Sequence, residues 1–564
     1  MALNKIQKLF QFLIPKQISR FRKELIDFDW FWRYFCNHKN INHKNRNPPM
    51  RKSFLLGCLM TALFFSCKTT QNTVNKLSSN EVQISILHIN DVYEISSLEG
   101  GKVGGMARLA TLKKELTLKN PNTITILAGD FLNPALISTF KHEGKSIKGK
   151  QMIEAMNAVR FDWVGLGNHE FDLDEEDLQK RINESQFNWL ASNVLQNKKG
   201  ELEPFGKIIG GVKTPFPKTT ILTFKNPQGK LVKMGMFSVV LPSNKKDYVW
   251  YSDFFEVAQK TYEILKPECD FVVAITHLNK ADDAKLAEML PEVKLIMGGH
   301  DHDNMIQKVG NVVIAKADAN AKTAYIHDIV FNTETKNVLI NSNLRKIDES
   351  IPMDSVVAVV VKKWDDIMDV ALKKVGMDRN DKVVNLSEKL DGRESSMRNS
   401  HTNLGALITK AMTASASKPV DCAVFNSGSV RIDDQLSGQI TQLDIMRVLP
   451  FGGKIVEVAL KGRLLERVLE TGLKNKGNGG FLQWDKITHD ETKSEWFVNG
   501  KLLDVNQDYY ISIPKYMMEG KETNFGYLTD KNPDVLKINE PDEKDLNDIR
   551  NDVRKILIAY LKNK

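Results

Sequence analysis

Hydrophobic and polar positions between residues 81 and 347 alternate between short apolar runs and longer stretches with helical spacing. The short runs predict strands at residues 82–89, 123–127, 163–166, 271–276 and 293–297. Between them, apolar residues recurring every three or four positions predict helices over residues 106–118, 149–159 and 175–182. Strands that alternate with helices favour an α/β fold with a parallel sheet.

Each of the five predicted strands is followed at once by Asp, Asn or His. In chain order the following residues are Asn90-Asp91-Val92-Tyr93, Ala128-Gly129-Asp130, Gly167-Asn168-His169-Glu170-Phe171-Asp172, His277 and Gly298-Gly299-His300-Asp301-His302. Ligands of α/β sheets bind outside the carboxyl ends of the strands, so we expect these side chains to converge. Carboxylates, a carboxamide and imidazoles without thiolates suit Mn²⁺, Zn²⁺ or Fe.

The second half of the chain carries a different set of motifs. A long helix is predicted over residues 356–375 and another over residues 403–412. The motifs around them are Arg393, Arg398-Asn399-Ser400-His401-Thr402-Asn403-Leu404-Gly405, Asn426-Ser427-Gly428-Ser429-Val430-Arg431 and Leu449-Pro450-Phe451-Gly452-Gly453. Taken singly, each arginine is typical of a solvated surface charge, and Phe451 is typical of a core residue.

Composition narrows the class of protein. Of 564 residues, 42% are hydrophobic and 26% are charged, which excludes a wholly disordered or collagen-like chain and suggests two to four domains. The net charge of +9 is unevenly placed: residues 1–49 contribute +7, and Arg51 and Lys52 contribute +2. The rest of the chain is electrically balanced, so composition does not indicate a broad basic surface for a nucleic-acid polymer.

The charged beginning of the chain is typical of a targeting segment. Met50-Arg51-Lys52 precedes an apolar run at residues 54–65 and then Ser66-Cys67. A run of this length predicts a signal peptide rather than a membrane span. We expect residues 50–67 to be a lipoprotein-type signal with Cys67 lipidated; a simple cleaved signal is the alternative. Residues 1–49 are then an upstream extension or a basic amphipathic arm, and residues 68–80 a polar tether.

The five strand-end motifs, in this order, resemble the two-metal signature of the calcineurin-like metallophosphoesterases. With the motifs of the second half, the chain resembles the bacterial 5′-nucleotidase, UDP-sugar hydrolase and 2′,3′-cyclic-nucleotide phosphodiesterase family over about residues 82–530. The resemblance implies an α/β fold: a four-layer metallophosphoesterase β-sandwich flanked by helices at residues 81–347. It also implies an interdomain helix at residues 348–375 and a second α/β, nucleotide-binding domain at residues 376–564.

The resemblance also implies a centre with two divalent metal ions, either Mn, Zn or Fe, that polarise the phosphoryl oxygens and generate hydroxide. The implied ligands are Asp130 as the bridge, Asp91 and His302 for the first ion, and Asn168, His277 and His300 for the second. His169, oriented by Asp172, would stabilise the phosphoryl group or help the leaving oxygen. Tyr93 stands where the family usually has His. It is a tyrosinate ligand favouring iron, the sign of a weakened first site, or a spectator.

For the substrate, the resemblance assigns Arg393, Arg398 and Arg431 to phosphate or pocket contacts. It places Asn426 and Gly428 along the pocket and stacks Phe451 on the base. Phe525 is the expected second stacking aromatic, with Tyr527 as the alternative.

The expected function is an exported phosphohydrolase that removes phosphate from 5′-nucleotides, with 2′,3′-cyclic nucleotides or nucleotide-sugars as further substrates. The alternatives are a related metallohydrolase acting on a non-nucleotide ester, and a surface binding lipoprotein with an impaired metal site. The expected location is the periplasm, or a bacterial membrane reached only through a lipid on Cys67. We expect a nucleotide-derived small-molecule substrate, no nucleic-acid polymer as partner, and a monomer or dimer whose domains rotate to admit substrate.

Overall fold

The computed structural model describes residues 78–243, 245–545 and 547–564. The predicted extension, the signal peptide with Cys67 and nearly all of the predicted tether lie outside these residues. Among the described residues, no helix has both the length and the apolar character needed to cross a membrane.

The strands up to Lys346 form what we call the first lobe. They are β1 Glu81–Ile89, β2 Thr123–Ala128, β3 Lys141–His142, β4 Lys145–Ser146, β5 Trp163–Gly165, β6 Asn188–Leu190, β7 Val194–Lys198, β8 Glu201–Glu203, β9 Gly206–Ile209, β10 Val212–Pro215, β11 Thr219–Lys225, β12 Leu231–Val240, β13 Val249–Tyr251, β14 Phe271–His277, β15 Leu295–Gly298, β16 Met305–Val309, β17 Val312–Lys316, β18 Thr323–Asn332 and β19 Val338–Lys346. Its helices are α1 Met106–Lys119, α2 Lys150–Val159, α3 Glu175–Glu184, α4 Phe254–Leu265 and α5 Lys280–Met289.

Two six-stranded sheets form the centre of the first lobe. One has the order β19-β18-β1-β2-β5-β6 and the other β11-β12-β14-β15-β17-β16. Strands β1, β2, β5 and β6 run parallel, as do β12, β14, β15 and β17. The parallel register gives each sheet an edge at which the carboxyl ends of its strands meet.

The two sheets pack face to face on one apolar core and are covered outside by helices. Ile84 and Ile86 of β1 meet Met234 and Met236 of β12 in that core. Leu109 of α1 belongs to a second cluster outside the first sheet, and α4 and α5 pack outside the other sheet. The result is the helix–sheet–sheet–helix layering that the sequence predicted, and the predicted helices and strands are confirmed to within about three residues at their ends.

A long helix, α6 Ser355–Lys374, connects the first lobe to the rest of the chain. Asp354 caps it by accepting hydrogen bonds from the backbone N–H groups of Val356 and Val357. Trp364 is buried, and its Nε1 donates to Glu154 of α2 over 2.9 Å. The helix therefore lies against the first lobe.

The remaining elements form the second lobe. Its strands are β20 Lys382–Asp391, β21 Cys422–Asn426, β22 Gln435–Thr441, β23 Ile455–Lys461, β24 Leu482–Asp485, β25 Ile487–Asp490, β26 Glu495–Val498, β27 Lys501–Leu502, β28 Asp508–Pro514 and β29 Val535–Asn539. Its helices are α7 Glu394–Met397, α8 Asn403–Ala414, α9 Gln442–Val448, α10 Gly462–Lys474, α11 Lys515–Met518 and α12 Val553–Lys562. A five-stranded sheet, β24-β21-β28-β23-β29, has α10 on one face and α8 and α12 on the other, so this lobe is also α/β.

Candidate active site

The five predicted strand ends meet at one place in the first lobe. Asp91 follows β1, Asp130 follows β2 and Asn168 follows β5 in one sheet, while His277 ends β14 and His300 follows β15 in the other. All five side chains are at least half buried. The parallel register of both sheets is what brings together residues more than 200 positions apart in the sequence.

Carboxylate and imidazole atoms in this cluster lie close enough to share a cation. One ligand atom each from Asp91, Asp130 and His277 can be chosen so that all lie within 4.8 Å of one another. Nε2 of His277 is 3.0 Å from Oδ2 of Asp130, and Nε2 of His302 is 3.2 Å from Oδ1 of Asp91. Nε2 of His277 is also 3.8 Å from Oδ1 of Asp91, so these four side chains form one connected cluster.

The backbone at these strand ends is unusual. Asp91, Asp130, His300 and His302 all have positive φ, at 53°, 58°, 81° and 63°. Residues other than glycine rarely adopt this region, and each such residue costs about 1–3 kcal/mol that the surrounding structure must supply. The tight turns carry four of the predicted ligands of this cluster.

Two glycines make room for the turns. A Cβ on Gly167 would lie 2.1 Å from Oδ1 of Asp130, and one on Gly129 would lie 2.6 Å from Nδ1 of His277. Any larger residue would displace the predicted ligands. The glycines of the Gly-Asp and Gly-Asn-His motifs are therefore needed for close approach.

Glu170 holds two of the ligand-bearing turns together from below. Its carboxylate is fully buried and accepts hydrogen bonds from the backbone N–H groups of Asp130, Phe131 and Gly167 over 2.9, 2.7 and 2.7 Å. Leu132 donates a fourth, over 3.2 Å. Burial, and then the Asp130 carboxylate, raise the pKa of Glu170 to about 7, although the backbone donors act in the opposite direction.

The cluster attracts cations strongly. Burial alone would lower the pKa of His277 and His302, but the Asp130 and Asp91 carboxylates raise that of His277 to about 9. The Asp433 and Asp91 carboxylates raise the pKa of His302 to about 10. Burial alone would raise the pKa of Asp91, but the His302 and His277 imidazoles hold it well below its usual range. The same negative field that favours protonated imidazoles favours divalent metal ions.

Tyr93 lies inside this cluster rather than beside it. Its Oη is 3.0 Å from Nε2 of His302 and donates to Oδ2 of Asp130 over 3.5 Å. Burial, and then the Asp130 and Asp91 carboxylates, raise the pKa of the phenol well above its usual range. Tyr93 therefore occupies a place from which it could reach an ion, but only a strong Lewis acid would make it a tyrosinate.

His169 and Asp172 form the predicted dyad. Nδ1 of His169 is 2.7 Å from Oδ2 of Asp172, and Asn133 donates to the same oxygen over 2.6 Å. The backbone N–H of His169 donates to Oδ1 of Asp130 over 2.7 Å, which fixes the dyad against the metal-ligand cluster. Burial would lower the pKa of His169, but the Asp130 and Asp172 carboxylates raise it well above its usual range. A protonated imidazole at this point can stabilise a phosphoryl group or give a proton to a leaving oxygen.

A carboxylate from the second lobe reaches the dyad as well. Oδ2 of Asp433 lies 3.3 Å from Nε2 of His169 and 3.6 Å from Nε2 of His302, and its side chain is only 11% exposed. The backbone N–H of Glu394 donates to its other oxygen over 2.7 Å. The His302 and His169 imidazoles lower the pKa of Asp433, overcoming the effect of burial.

The donor set fits the implied pair of divalent metal ions. Asn168 is 3% exposed, and no hydrogen-bond partner in the described residues reaches its Oδ1. A buried amide oxygen left unbonded is costly unless a cation or water satisfies it. Two carboxylates, one amide oxygen and three imidazoles are the ligands that Mn²⁺, Zn²⁺ and iron accept.

A cavity of about 340 Å³ opens next to the dyad, between the two lobes. Asn133 and Arg431 stand at the end nearest Asp172; the Arg431 guanidinium is 3.9 Å from Oδ2 of Asp172. Phe451 also lines the cavity and is 66% exposed. The volume suits a small ligand of nucleoside size.

This cavity is not lined by the other predicted substrate residues, which are Arg393, Arg398, Asn426, Gly428 and Phe525. Arg393 pairs with Asp391 over 2.8 Å and with Asp303 of the first lobe. Arg398 pairs with Glu394 over 2.9 Å. These guanidiniums are bound to carboxylates in this arrangement of the lobes, so a phosphate would have to replace those partners.

Asn426 and Gly428 lie beside the loop at residues 477–480. Asn426 is buried and donates to Glu522, while Ser429 donates to its Oδ1 over 3.0 Å. A Cβ on Gly428 would lie 2.9 Å from Cα of Gly479, so the two backbones need a glycine to approach.

The prediction that Phe525 stacks on a base is wrong for this structure. Phe525 is 0% exposed and packs in the core of the second lobe with Leu528 and Met517. The resemblance implies a second stacking aromatic after a glycine-rich turn, but the turn here folds the Phe525 side chain inward. Tyr527, the alternative, is partly buried, and the Arg467 guanidinium lies over its ring at 3.7 Å.

Sequence reasoning missed three residues that contact the predicted site. Glu170 stands within the Gly-Asn-His-Glu motif, so its position in the sequence could have identified it as a residue of the site. Asp433 follows Arg431 by two positions, and only the fold shows that it reaches the first lobe. Asn133 follows Asp130 by three positions and had no signal of its own.

Comparisons with known proteins agree with the motifs. The profile of the calcineurin-like phosphoesterases matches residues 84–304, and that of the 5′-nucleotidase C-terminal domain matches residues 382–530. All the predicted metal-ligand and dyad residues lie in the first range, and all the predicted substrate residues in the second.

This chain is similar to 5′-nucleotidases over most of its length. The 5′-nucleotidase of Homo sapiens is 25% identical over 540 residues, covering 85% of this chain and 89% of its own length. The crystal structure of a 5′-nucleotidase precursor from Thermus thermophilus superposes with a TM-score of 0.60 at 22% identity, covering 86% of this chain and 96% of that one. The sulfate thiohydrolase SoxB of Thermus thermophilus superposes with a TM-score of 0.57 at 15% identity, covering 85% and 94%. The likeness to these two structures shows the fold alone.

Proposed function

Since the chain belongs to the family of metal-dependent phosphoric ester hydrolases that joins a calcineurin-like phosphoesterase domain to a 5′-nucleotidase C-terminal domain, we propose that it removes phosphate from 5′-nucleotides. 2′,3′-Cyclic nucleotides and nucleotide-sugars are further candidate substrates. The proposal includes export, with Cys67 as a lipid attachment point, because residues 50–67 have the pattern of a lipoprotein signal.

The observation that supports a nucleotide most directly is the cavity between the dyad and Phe451. It starts at Asn133 and Arg431, both of which face Asp172, and it contains the exposed Phe451 ring. A phosphoryl group at His169 would therefore have its leaving group directed toward a guanidinium and an aromatic face. Guanidiniums match phosphate and sugar oxygens, and aromatic faces stack on bases.

The metal-ligand cluster would hold two divalent ions through Asp91, Asp130, Asn168, His277, His300 and His302, with Tyr93 within reach. When bound, such ions supply Lewis-acid activation of the phosphoryl group and of water. His169, paired through Nδ1 with Asp172, would donate through Nε2 to the phosphoryl group or to the leaving oxygen. Asp172 and Asn133 hold the imidazole in that orientation.

The test is phosphate release by the purified protein loaded with Mn²⁺, Zn²⁺ or Fe²⁺, with 5′-nucleotides, a 2′,3′-cyclic nucleotide, a nucleotide-sugar and glycerol phosphate as substrates. We expect release from nucleotides, and a fall in kcat of about 100-fold or more in His169→Ala. His142→Ala, which changes a partly exposed histidine of the same lobe, is the control.

A second arm tests the cavity. Phe451→Ala should raise KM for nucleotides about 5- to 100-fold through loss of stacking and leave KM for glycerol phosphate unchanged. Tyr516→Ala removes an aromatic side chain that is 48% exposed and does not line the cavity, and it should change neither. Release from glycerol phosphate alone would favour the non-nucleotide esterase, and metal binding without any release would favour the impaired binding protein.

A further inference from the structure

Lys316 is a charged side chain buried beneath the metal-ligand cluster. It is the last residue of β17 and is 0% exposed. Its Nζ lies 2.7 Å from Oδ2 of Asp283, which is also 0% exposed, and it pairs with Asp301 as well. An ammonium this deep is expensive to desolvate, and apolar residues of similar volume commonly give equal or better stability.

The remaining partners of this ammonium are two backbone carbonyls. Nζ donates to the carbonyl oxygen of Leu278 over 2.6 Å and to that of Gly299 over 2.8 Å. Leu278 directly follows His277, and Gly299 directly precedes His300. A single cation therefore ties together the carboxyl ends of β14 and β15 at the residues next to two predicted metal ligands.

The adjacent strand is shaped around this side chain. A Cβ on Gly298 would lie 2.8 Å from Cε of Lys316 and 3.0 Å from Oδ2 of Asp283. The backbone of Gly298 does not have a positive φ, so its conformation alone would accept alanine. The space beside this glycine is occupied by the Lys316–Asp283 pair.

The two clamped carbonyls flank His277 and His300 in the sequence. Their rings stand edge to face with centroids 5.4 Å apart. The backbone of His300 has a φ of 81°, a conformation that needs external support. A shift of either strand end would move the imidazole nitrogen of one histidine relative to that of the other by a comparable distance. Metal–ligand distances tolerate changes of only about 0.2 Å.

We propose that Lys316 is a positioning residue of the metal centre, which fixes the His277 and His300 imidazoles by clamping the backbone carbonyls beside them. The inference rests on the proposed function only in taking both histidines as metal ligands. It does not depend on which phosphate ester the protein hydrolyses.

The test is Co²⁺ binding to the full-length protein, measured by calorimetry and by the visible absorption of the bound ion. Lys316→Met should weaken the binding of one of two Co²⁺ ions about 10- to 100-fold, the usual effect of removing a group that orients a ligand, and alter the spectrum. Because the variant leaves Asp283 unpaired, Lys316→Met/Asp283→Leu is made in parallel to preserve folding.

Gly298→Ala is a milder variant that keeps every charge and moves the ammonium. It should weaken the same Co²⁺ site in the same direction. The matched control is Arg550→Met, which breaks the 2.8 Å pair between Arg550 and the buried Glu457 in the second lobe. The control should lower the thermal midpoint and leave Co²⁺ affinity and spectrum unchanged.

Wild-type Co²⁺ affinity and spectrum in folded Lys316→Met/Asp283→Leu and Gly298→Ala would overturn the inference, because the clamp would then serve stability alone. A wild-type protein that binds Co²⁺ but releases phosphate from no nucleotide would refute the proposed function and leave this inference standing.

Discussion

Tyr93 differs in chemistry from every residue around it. It places a neutral phenol among carboxylates and imidazoles, 3.0 Å from Nε2 of His302 and 3.5 Å from Oδ2 of Asp130. A phenol held protonated by its surroundings is a poorer ligand than a neutral imidazole. At the scale of single residues, we expect this position to set how firmly an ion beside Asp91 and His302 is held.

Tyr93→His should therefore tighten retention of the ion near Asp91 and His302, by about tenfold, because an imidazole can bind without first losing a proton to solvent. Dialysis against a chelator, followed by metal analysis, measures it. Tyr93→Phe removes only the hydroxyl. If this variant keeps both the metal content and the rate of the wild-type protein, Tyr93 is a spectator.

Strand β23 shows how a single element holds a lobe together. Its Glu457 is 0% exposed and accepts hydrogen bonds from Tyr510 of β28 and Asn539 of β29, and it pairs with Arg550 before α12. Burial alone would raise the pKa of this carboxyl, but the Ser417, Tyr510 and Asn539 donors lower it to about 2.

The depressed pKa predicts acid sensitivity of the second lobe. The ordinary pKa of a glutamate carboxyl is 4.5, so the stabilisation by Glu457 is fully present above pH 4.5 and is lost as the pH falls toward 2. Urea unfolding at pH 6 and pH 3 should show a smaller pH dependence in Glu457→Gln than in the wild-type protein. Glu543→Gln, at an exposed position, is the control; equal pH dependence in all three proteins would contradict the prediction.

At the scale of the whole molecule, the lobes meet around the dyad through charged groups. Arg447 of α9 pairs with Glu94 over 3.0 Å, Lys322 pairs with Asp434 over 2.7 Å, and Asp433 reaches His169. A carboxylate against Nε2 of His169 occupies the side of the imidazole that a phosphoryl group would need. In this arrangement the second lobe competes with an anionic ligand.

Asp433→Asn should therefore lower KM for a phosphate ester and tighten product inhibition by inorganic phosphate, by about tenfold, or about 1.4 kcal/mol. Steady-state kinetics with added phosphate measures both. Glu99→Gln, which alters the interlobe hydrogen bond to Ser437, is the matched control and should leave both constants unchanged. If KM and phosphate inhibition are unaltered in Asp433→Asn, the Asp433 carboxylate does not compete with an anionic ligand, and the prediction is wrong.

Much of the first lobe could be predicted because its signals are local. Apolar runs predicted five of its strands, and the rule that ligands gather at carboxyl ends of parallel strands brought Asp91, Asp130 and His277 together. The dyad was implied by the family resemblance, and its two members, His169 and Asp172, stand in one short turn. These inferences needed no knowledge of how distant segments pack.

The rest depended on tertiary contacts that no periodicity encodes. Phe525 and Phe451 both follow or precede glycines, yet one is core and the other is exposed, because the loop around each packs differently. Asp433 reaches His169 only through the placement of one lobe on the other. Lys316 is a single lysine at the end of an apolar strand, and its carbonyl partners lie 17 and 38 positions away in the sequence.

The left-handed turns at Asp91, Asp130, His300 and His302 set stability against activity. Each turn holds a polar residue with a side chain in a backbone conformation that glycine adopts at lower energy. In a laboratory population evolved for thermal tolerance alone, these four codons are where glycine should spread first. If the two aspartates and two histidines persist in a lineage, selection for catalytic turnover has continued there. A comparison of sequences alone would show it.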